Sequence, residues 1–256
     1  MATLTDRRAC LGAALAALAA ICVGCGALRP APVPMRTLVL TPARAGNHSL
    51  VVLLPGRGGS PEDFAAAGFD RRLAEHGVAA EVVSPNASLS YYVRRTIDER
   101  LRADVIAPAR VRGVTRIWLV GISMGGLGAL VYAENHPGDV SGILLLAPYL
   151  GDDAVIAEIA AAGGVARWQP AAPVAEDDFQ RRLWLFLKRC GAADNGLPLL
   201  CLGYGTDDRF AAAHRLLAAV LPPERVFTTT GRHDWPTWRA LWQQFLATDV
   251  LARSLR

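Results

Sequence analysis

Residues 115–133 read TRIWLVGISMGGLGALVYA, with Gly121-Ile-Ser123-Met-Gly125 at their centre. An apolar run precedes this pentapeptide and a helix-like apolar stretch follows it, which predicts a strand, a tight turn and a helix. In a G-x-S-x-G turn of this kind the serine adopts a strained conformation with positive φ, so its hydroxyl stands clear of the sheet. Glycines flank the serine because larger side chains would collide there. The pattern therefore predicts that Ser123 is a nucleophile.

A glycine-rich turn between a strand and a helix also binds phosphate groups in other proteins. Such phosphate sites carry the patterns G-x-G-x-x-G or G-K-[ST]. Neither pattern occurs in this sequence. The nucleophile interpretation is therefore favoured over a phosphate-binding turn.

Apolar runs and helical stretches alternate on both sides of this segment. Seven runs are predicted as strands, at 36–40, 49–54, 79–83, 115–121, 141–146, 197–202 and 225–229. Helices are predicted between them, at 61–76, 92–109, 124–136, 207–220 and 236–252. The strands are rich in Val, Ile and Leu without strict alternation, which indicates burial on both faces. We therefore predict an α/β fold with a mostly parallel sheet and helices on both faces.

The predicted organisation is a leader at 1–25, a proline-rich tether at 26–35 and one domain at 36–256. The alternation is interrupted at about 148–196, where no strand is evident and helices are predicted at 152–162 and 177–190. We expect a small helical insertion here. It either covers the functional site, as such insertions often do, or is an ordinary long crossover with an extra surface helix.

Residues 121–130, GISMGGLGAL, resemble the corresponding segment of small bacterial serine carboxylesterases of the α/β-hydrolase superfamily. The resemblance extends over about 36–252, where it rests on the order and spacing of elements. It implies the α/β-hydrolase fold and a catalytic triad in the order serine, acid, histidine.

A base must accept the proton of the serine hydroxyl, and five histidines are available. Only His233 follows the last predicted strand, at the edge where a parallel sheet places its site. Its context, GRHDW at 231–235, resembles the family's G-x-H-x-W loop. We expect His233 to be the base and the other four histidines to have surface or capping roles: His48, His76, His136 and His214.

The triad acid is expected after the preceding strand, where Asp207 and Asp208 are adjacent. The family places its acid after a glycine turn and just before the next helix. Asp208 fits that position better, and Asp207 is the alternative, with a helix cap as its other role. Some relatives move the acid one strand earlier, which leaves Asp152 and Asp153 as further candidates.

Residues 49–60, SLVVLLPGRGGS, form a strand that runs into a glycine loop. The loop resembles the family's His-Gly-x-Gly oxyanion loop, except that Pro55 replaces the histidine. The donors of an oxyanion hole are main-chain N–H groups, so Gly56 or Arg57 can still supply one from this loop; Arg57 is the predicted loop donor and Met124 the second donor. The alternative is a tight turn without a catalytic role.

The sequence thus predicts a serine hydrolase that cleaves small carboxylic esters through an acyl-enzyme, with Ser123, Asp208 and His233 as the triad. A thioesterase, an acyltransferase or a peptidase with the same triad is the first alternative, because a fold does not settle the substrate. The second alternative is a non-catalytic lipoprotein on a hydrolase fold.

The first 25 residues have the pattern of an export signal. Arg7 and Arg8 precede the uncharged apolar stretch 9–24, and Val23-Gly24-Cys25 resembles a bacterial lipobox. We expect export and lipidation at Cys25, giving a periplasmic or cell-envelope lipoprotein that contacts the membrane through its N-terminus. The alternative is an uncleaved N-terminal membrane anchor.

The formal charge of +4 arises from arginines that are interleaved with acids along the chain. Without a long basic run, no nucleic-acid partner is expected. The sequence has neither an H-E-x-x-H motif nor a Cys/His cluster, so no metal or cofactor is expected. Cys190 and Cys201 either form a disulfide outside the cytoplasm or are separate buried thiols.

Overall fold

The computed structural model describes residues 31–191 and 196–255. In this part of the chain, seven strands form one sheet in the order β1-β3-β2-β4-β5-β6-β7. β1 pairs antiparallel with β3, and every other pairing is parallel. The strands are β1 Thr37–Thr41, β2 Ser49–Leu54, β3 Glu81–Pro85, β4 Arg116–Ile122, β5 Gly142–Leu146, β6 Leu199–Gly205 and β7 Val226–Thr229.

Helices connect the strands and cover both faces of the sheet. The α-helices are α1 Glu62–Ala66, α2 Phe69–Glu75, α3 Leu89–Val93, α4 Ile97–Leu101, α5 Ala107–Val111, α6 Met124–Asn135, α7 Asp153–Ala161, α8 Phe179–Cys190, α9 Ala211–Ala218, α10 Trp235–Leu246 and α11 Val250–Ser254. A π-helical turn, Arg102–Ile106, joins α4 to α5, and a short 3₁₀ turn, Pro223–Arg225, precedes β7.

The core explains why the strands lack strict alternation. All residues of β2 and β5 are buried, because one hydrophobic cluster lies on each face of the sheet. Successive side chains of a strand point to opposite faces, so both sets are buried here. The observed strands begin within two residues of their predicted starts. The predicted fold class, a mostly parallel sheet with helices, is confirmed.

The long predicted helices at 61–76 and 92–109 were wrong as continuous elements. The first breaks at Gly68, which has a left-handed φ of 76°. The second breaks at Arg95, with φ 56°, and then passes through the π-helical turn just before Pro108. Proline lacks an N–H and its ring clashes with the carbonyl four residues earlier, and the wider π turn relieves that clash.

Two other predicted helices differ at their ends. The helix predicted from residue 207 begins at Ala211, because residues 206–210 form the turn that follows β6. The helix predicted at 236–252 ends at Leu246, and α11 follows after Asp249, whose φ is 55°.

Helices α7 and α8 lie between β5 and β6, where the insertion is predicted. One face of α8 is buried in the core through Leu183, Trp184, Phe186 and Leu187. The predicted leader at 1–25 and most of the tether at 26–35 lie outside the described residues, so this division of the chain stays a prediction. Within residues 31–191 and 196–255, no helix is long and apolar enough to cross a membrane.

Cys190 and Cys201 are separate free thiols, both buried. Burial raises the pKa of each thiol to about 12, because a thiolate would lose its hydration. The side chains therefore behave as small apolar groups, and the disulfide alternative does not occur in this structure.

Candidate active site

Ser123 sits in the turn between β4 and α6, with φ 53° and ψ −115°. A Cβ atom built on Gly121 would overlap the backbone oxygen of Gly125, and one built on Gly125 would overlap the backbone oxygen of Leu54. The turn therefore accepts only glycine at both flanking positions. This strained serine backbone is the geometry that the G-x-S-x-G pattern predicts.

Main-chain hydrogen bonds hold the serine turn on three sides. The Ser123 N–H donates to the oxygen of Leu146 at 3.0 Å, and the Ser123 carbonyl accepts from the N–H groups of Gly126 and Tyr149, each at 3.0 Å. Ser123 is 7% exposed, so little of it meets solvent. The turn is consequently held by backbone hydrogen bonds, including those to Leu146 and Tyr149 at and after the end of β5.

His233 and Asp208 meet at the carboxyl ends of β6 and β7. Nδ1–H of His233 donates to Oδ2 of Asp208 at 2.7 Å, and the Asp208 side chain is fully buried. The N–H of Thr206 donates to the Thr229 oxygen and the N–H of Asp207 to the Gly231 oxygen, at 2.9 and 3.0 Å. These two bonds extend the pairing of the strands beyond their ends, and so bring the acid and the histidine together.

The Asp208 carboxyl is held in its ionised form. Burial alone would raise its pKa, but the hydrogen bonds from His233 and from the Phe210 N–H outweigh burial, so the pKa lies below its ordinary value. The Phe210 N–H donates to Oδ1 at 2.8 Å. With a carboxylate accepting at Nδ1, a neutral His233 has its proton on that nitrogen and a free lone pair on Nε2.

Two aromatic rings fix the plane of the His233 imidazole. Phe210 and Trp238 each lie 5.2 Å from it, ring centre to ring centre, and both are perpendicular to it. Phe210 also contacts the ring of Tyr149 at 5.7 Å, and the Tyr149 N–H binds the Ser123 carbonyl. The serine turn and the acid–histidine pair are therefore joined through Phe210 and Tyr149.

The other candidate acids do not share the hydrogen bond that joins Asp208 to His233. Asp207 is exposed, and it does not cap α9, whose N-cap is Phe210 without a side-chain bond. Asp152 accepts hydrogen bonds from the Tyr149 hydroxyl and from Nε2 of Gln180. Asp153 lies in the first turn of α7. Of the four aspartates considered, Asp208 is thus the one that binds the histidine.

Three of the four remaining histidines have the peripheral roles that we expected. His76 and His136 stand at the C-caps of α2 and α6, and exposed His48 contacts the Gly113 oxygen through Nδ1 at 2.8 Å. For His214 the expectation was wrong, because its side chain is completely buried in α9.

The predicted oxyanion loop lies beside the serine. A Cβ atom built on Gly56 would be 3.3 Å from the Cβ of Ser123, and the Gly59 N–H closes a turn onto the Gly56 oxygen at 3.0 Å. Arg57 is the next residue of this turn, and its side chain is exposed. Met124 is the first residue of α6, where backbone N–H groups have no partner inside the helix.

Sequence reasoning missed Tyr149 and Phe210, which contact the site, and Gln180, which binds Asp152 beside Tyr149. Tyr149 and Phe210 each follow a strand's carboxyl end, so the sheet-edge rule could have found both. Gln180 lies in the insertion, and nothing in its sequence context signals its bonds to Asp152. Within the described ranges, no cluster of three or more His, Cys, Asp or Glu side chains could hold a metal ion.

Several solved structures share this fold. A ferulic acid esterase matches with a TM-score of 0.55 and 17% identity, over 82% of this chain and 87% of that one. An S-formylglutathione hydrolase from Staphylococcus aureus matches with a TM-score of 0.52 and 14% identity, over 89% of this chain and 100% of that one. A membrane phospholipase A matches with a TM-score of 0.52 and 20% identity, over 96% of this chain and 92% of that one. At these identities the likeness concerns the fold.

A search of curated proteins found no match. The family model Esterase, described as "Putative esterase", matches residues 70–248. This range contains the Ser123 turn and the loops that carry Asp208 and His233, and it covers most of the chain. The chain therefore belongs to the Esterase family and is a carboxylesterase-type hydrolase with the α/β-hydrolase fold.

Proposed function

We propose that this esterase acts through a Ser123–His233–Asp208 triad and a covalent acyl-enzyme. The observation that carries the proposal is the 2.7 Å hydrogen bond from His233 to buried Asp208. It leaves His233 Nε2 unprotonated in the neutral ring, as a general base requires. The strained turn at Ser123 supplies the matching nucleophile.

In the first half-reaction, the Ser123 Oγ attacks the ester carbonyl carbon while His233 Nε2 takes the hydroxyl proton. The N–H groups of Arg57 and Met124 stabilise the negative charge that develops on the carbonyl oxygen. His233 then gives its proton to the alcohol oxygen as the C–O bond breaks, and the acyl group stays on Ser123.

In the second half-reaction, His233 removes a proton from water, whose oxygen attacks the acyl carbon. The second tetrahedral intermediate collapses, Ser123 recovers its proton from His233, and the carboxylic acid leaves. Asp208 keeps the Nδ1 proton in place and stabilises the imidazolium at each step.

Hydrolysis of a short p-nitrophenyl ester tests the proposal. We expect Ser123→Ala and His233→Ala each to lower kcat by about 10⁴-fold or more. Ser141→Ala and His76→Ala are matched controls at positions outside the site and should retain wild-type turnover. Undiminished turnover in both site variants would overturn the assignment. A parallel panel of thioesters and anilides, at matched acyl length, distinguishes ester cleavage from the alternatives with the same triad.

We also propose that the chain is exported and lipidated at Cys25. The support is the sequence pattern alone, Arg7-Arg8 followed by the apolar stretch and Val23-Gly24-Cys25. In fractionated cells, wild-type protein should be found with membranes and Cys25→Ser protein should not. Equal membrane association of the two would contradict lipidation and favour an uncleaved anchor.

A further inference from the structure

His214 in α9 is a fully buried imidazole outside the proposed triad. Its Nε2 lies 2.9 Å from the backbone oxygen of Pro148, and its Nδ1 is buried without any hydrogen-bond partner. A carbonyl oxygen can only accept, so the proton must be on Nε2. An unpaired polar atom in the interior is costly, which makes a purely space-filling role for this histidine a poor explanation.

The imidazole is neutral at physiological pH. Burial lowers its pKa to about 4, although the bond to Pro148 and the charge of Asp208 oppose that shift. The ring packs against Tyr204, with 5.3 Å between ring centres. His214 is therefore a fixed hydrogen-bond donor, and it carries no charge that could act on the reaction.

The acceptor of this bond belongs to the serine half of the site. A Cβ atom built on Gly126, in the first turn of α6, would lie 2.8 Å from the Pro148 Cβ, so the proline ring rests against the start of that helix. The next residue, Tyr149, donates its N–H to the Ser123 carbonyl at 3.0 Å. Any shift of Pro148 therefore reaches the serine turn.

The donor belongs to the acid–histidine half. The His214 N–H donates to the Phe210 oxygen at 3.1 Å, and the His214 and Phe210 rings are 6.4 Å apart. Phe210 in turn contacts the His233 ring at 5.2 Å and donates its N–H to Asp208. The His214–Pro148 bond thus crosses from one half of the site to the other.

We propose that His214 is a positioning residue whose bond to Pro148 sets the distance between the serine turn and the acid–histidine pair. The inference rests on the proposed triad. A misplacement of about 1 Å between reacting groups costs about 10²-fold in rate, although neither group changes chemically. Loss of the bond should therefore slow the chemical step and leave binding of the substrate nearly unchanged.

Two substitutions separate the bond from the packing. His214→Phe keeps an aromatic ring and removes the donor, whereas His214→Gln retains an N–H donor near the place of Nε2. Leu217→Ala is the matched control, because Leu217 is buried in the same helix and takes no part in the bond. Turnover of a p-nitrophenyl ester is measured per active site, with sites counted by reaction with a fluorophosphonate, and folding is checked by thermal unfolding.

We expect His214→Phe to lower kcat by about 10- to 100-fold with little change in KM. His214→Gln should recover most of kcat, and Leu217→Ala should lose stability while it keeps kcat per site. Wild-type kcat in His214→Phe, or an equal loss of kcat in Leu217→Ala, would overturn the inference. Ser123→Ala is measured alongside: if it stays active, the triad and this inference both fail, whereas an inactive Ser123→Ala with unimpaired His214→Phe overturns this inference alone.

Discussion

The serine turn and the acid–histidine loops are held in place by different forces. Ser123 is fixed by backbone sterics at two glycines and by main-chain hydrogen bonds. Asp208 and His233 are held by their mutual side-chain hydrogen bond, by the bond from the Phe210 N–H to Asp208, and by the rings of Phe210 and Trp238. The first half is built on five consecutive residues whose backbone packs against Leu54 and bonds to Leu146 and Tyr149, while the second depends on side chains from two separate loops. The two halves should therefore fail in different ways when they are mutated.

The largest effect is expected in the acid–histidine half. Asp208→Asn preserves shape but removes the carboxylate that holds the Nδ1 proton, so we expect kcat to fall by about 10⁴-fold. The neighbouring Asp207→Asn is the matched control, since Asp207 is exposed and it is Asp208 that binds His233. Steady-state hydrolysis of a p-nitrophenyl ester measures both variants. A severe loss in Asp207→Asn with activity retained in Asp208→Asn would reverse the assignment of the acid.

A smaller effect on rate, combined with a loss of stability, is expected in the serine half. The Cβ of Gly125→Ala would overlap the backbone of Leu54, so the turn must move. We expect kcat/KM to fall by about 10²–10³-fold, as when one oxyanion donor is lost, and stability to fall by about 1–3 kcal/mol. Gly138→Ala is the control, because nothing lies within 4 Å of a Cβ at that position. If Gly125→Ala had wild-type kinetics and stability, the steric account of this half would be wrong.

The smallest expected effect concerns the hydrogen bond from His214 to Pro148, which joins the two halves. The folded-state pKa of His214 is about 4 and its ordinary value is 6.5, so on acidification the unfolded chain takes up the proton first. Stability should therefore fall as the pH drops through this window, by roughly 2 kcal/mol between pH 6.5 and 4.5. The titratable groups near the ring are Asp208, His233 and Arg215.

Urea unfolding of wild type and His214→Gln at the two pH values isolates this contribution. Asp208, whose pKa is lowered, adds a further loss at still lower pH in both proteins. The variant should lack the roughly 2 kcal/mol that His214 contributes. The same pH dependence in both proteins would show that His214 is not a buried neutral group.

The contrast between the two halves also explains how much the sequence could predict. The Ser123 turn was predictable because only glycine fits at the flanking positions, so five consecutive residues carry the whole pattern. The strands were predictable because both faces of the sheet are buried. His233 could be singled out because it alone follows the last strand.

Long-range contacts set the limit of the sequence analysis. The choice between Asp207 and Asp208 depends on the turn after β6, where the Asp207 N–H binds Gly231 and Asp208 faces His233. The hydrogen-bond partner of buried His214 is the Pro148 carbonyl, which lies 66 residues away in the chain. No periodicity in the short helix α9 reveals that partner. The break in the helix predicted at 61–76 falls at Gly68, a residue type that disfavours helix interiors and could have signalled it. The first break in the helix predicted at 92–109 falls at Arg95, whose left-handed backbone is not located by propensity.

The central claim is that Ser123 is a nucleophile activated by His233. It is tested most directly by reaction of the protein with a fluorophosphonate, followed by intact-mass measurement and peptide mapping. The account predicts one adduct per chain, located on Ser123, that forms much more slowly in His233→Ala and at the wild-type rate in His76→Ala. An adduct on another residue, or labelling of Ser123 at an equal rate without His233, would contradict it.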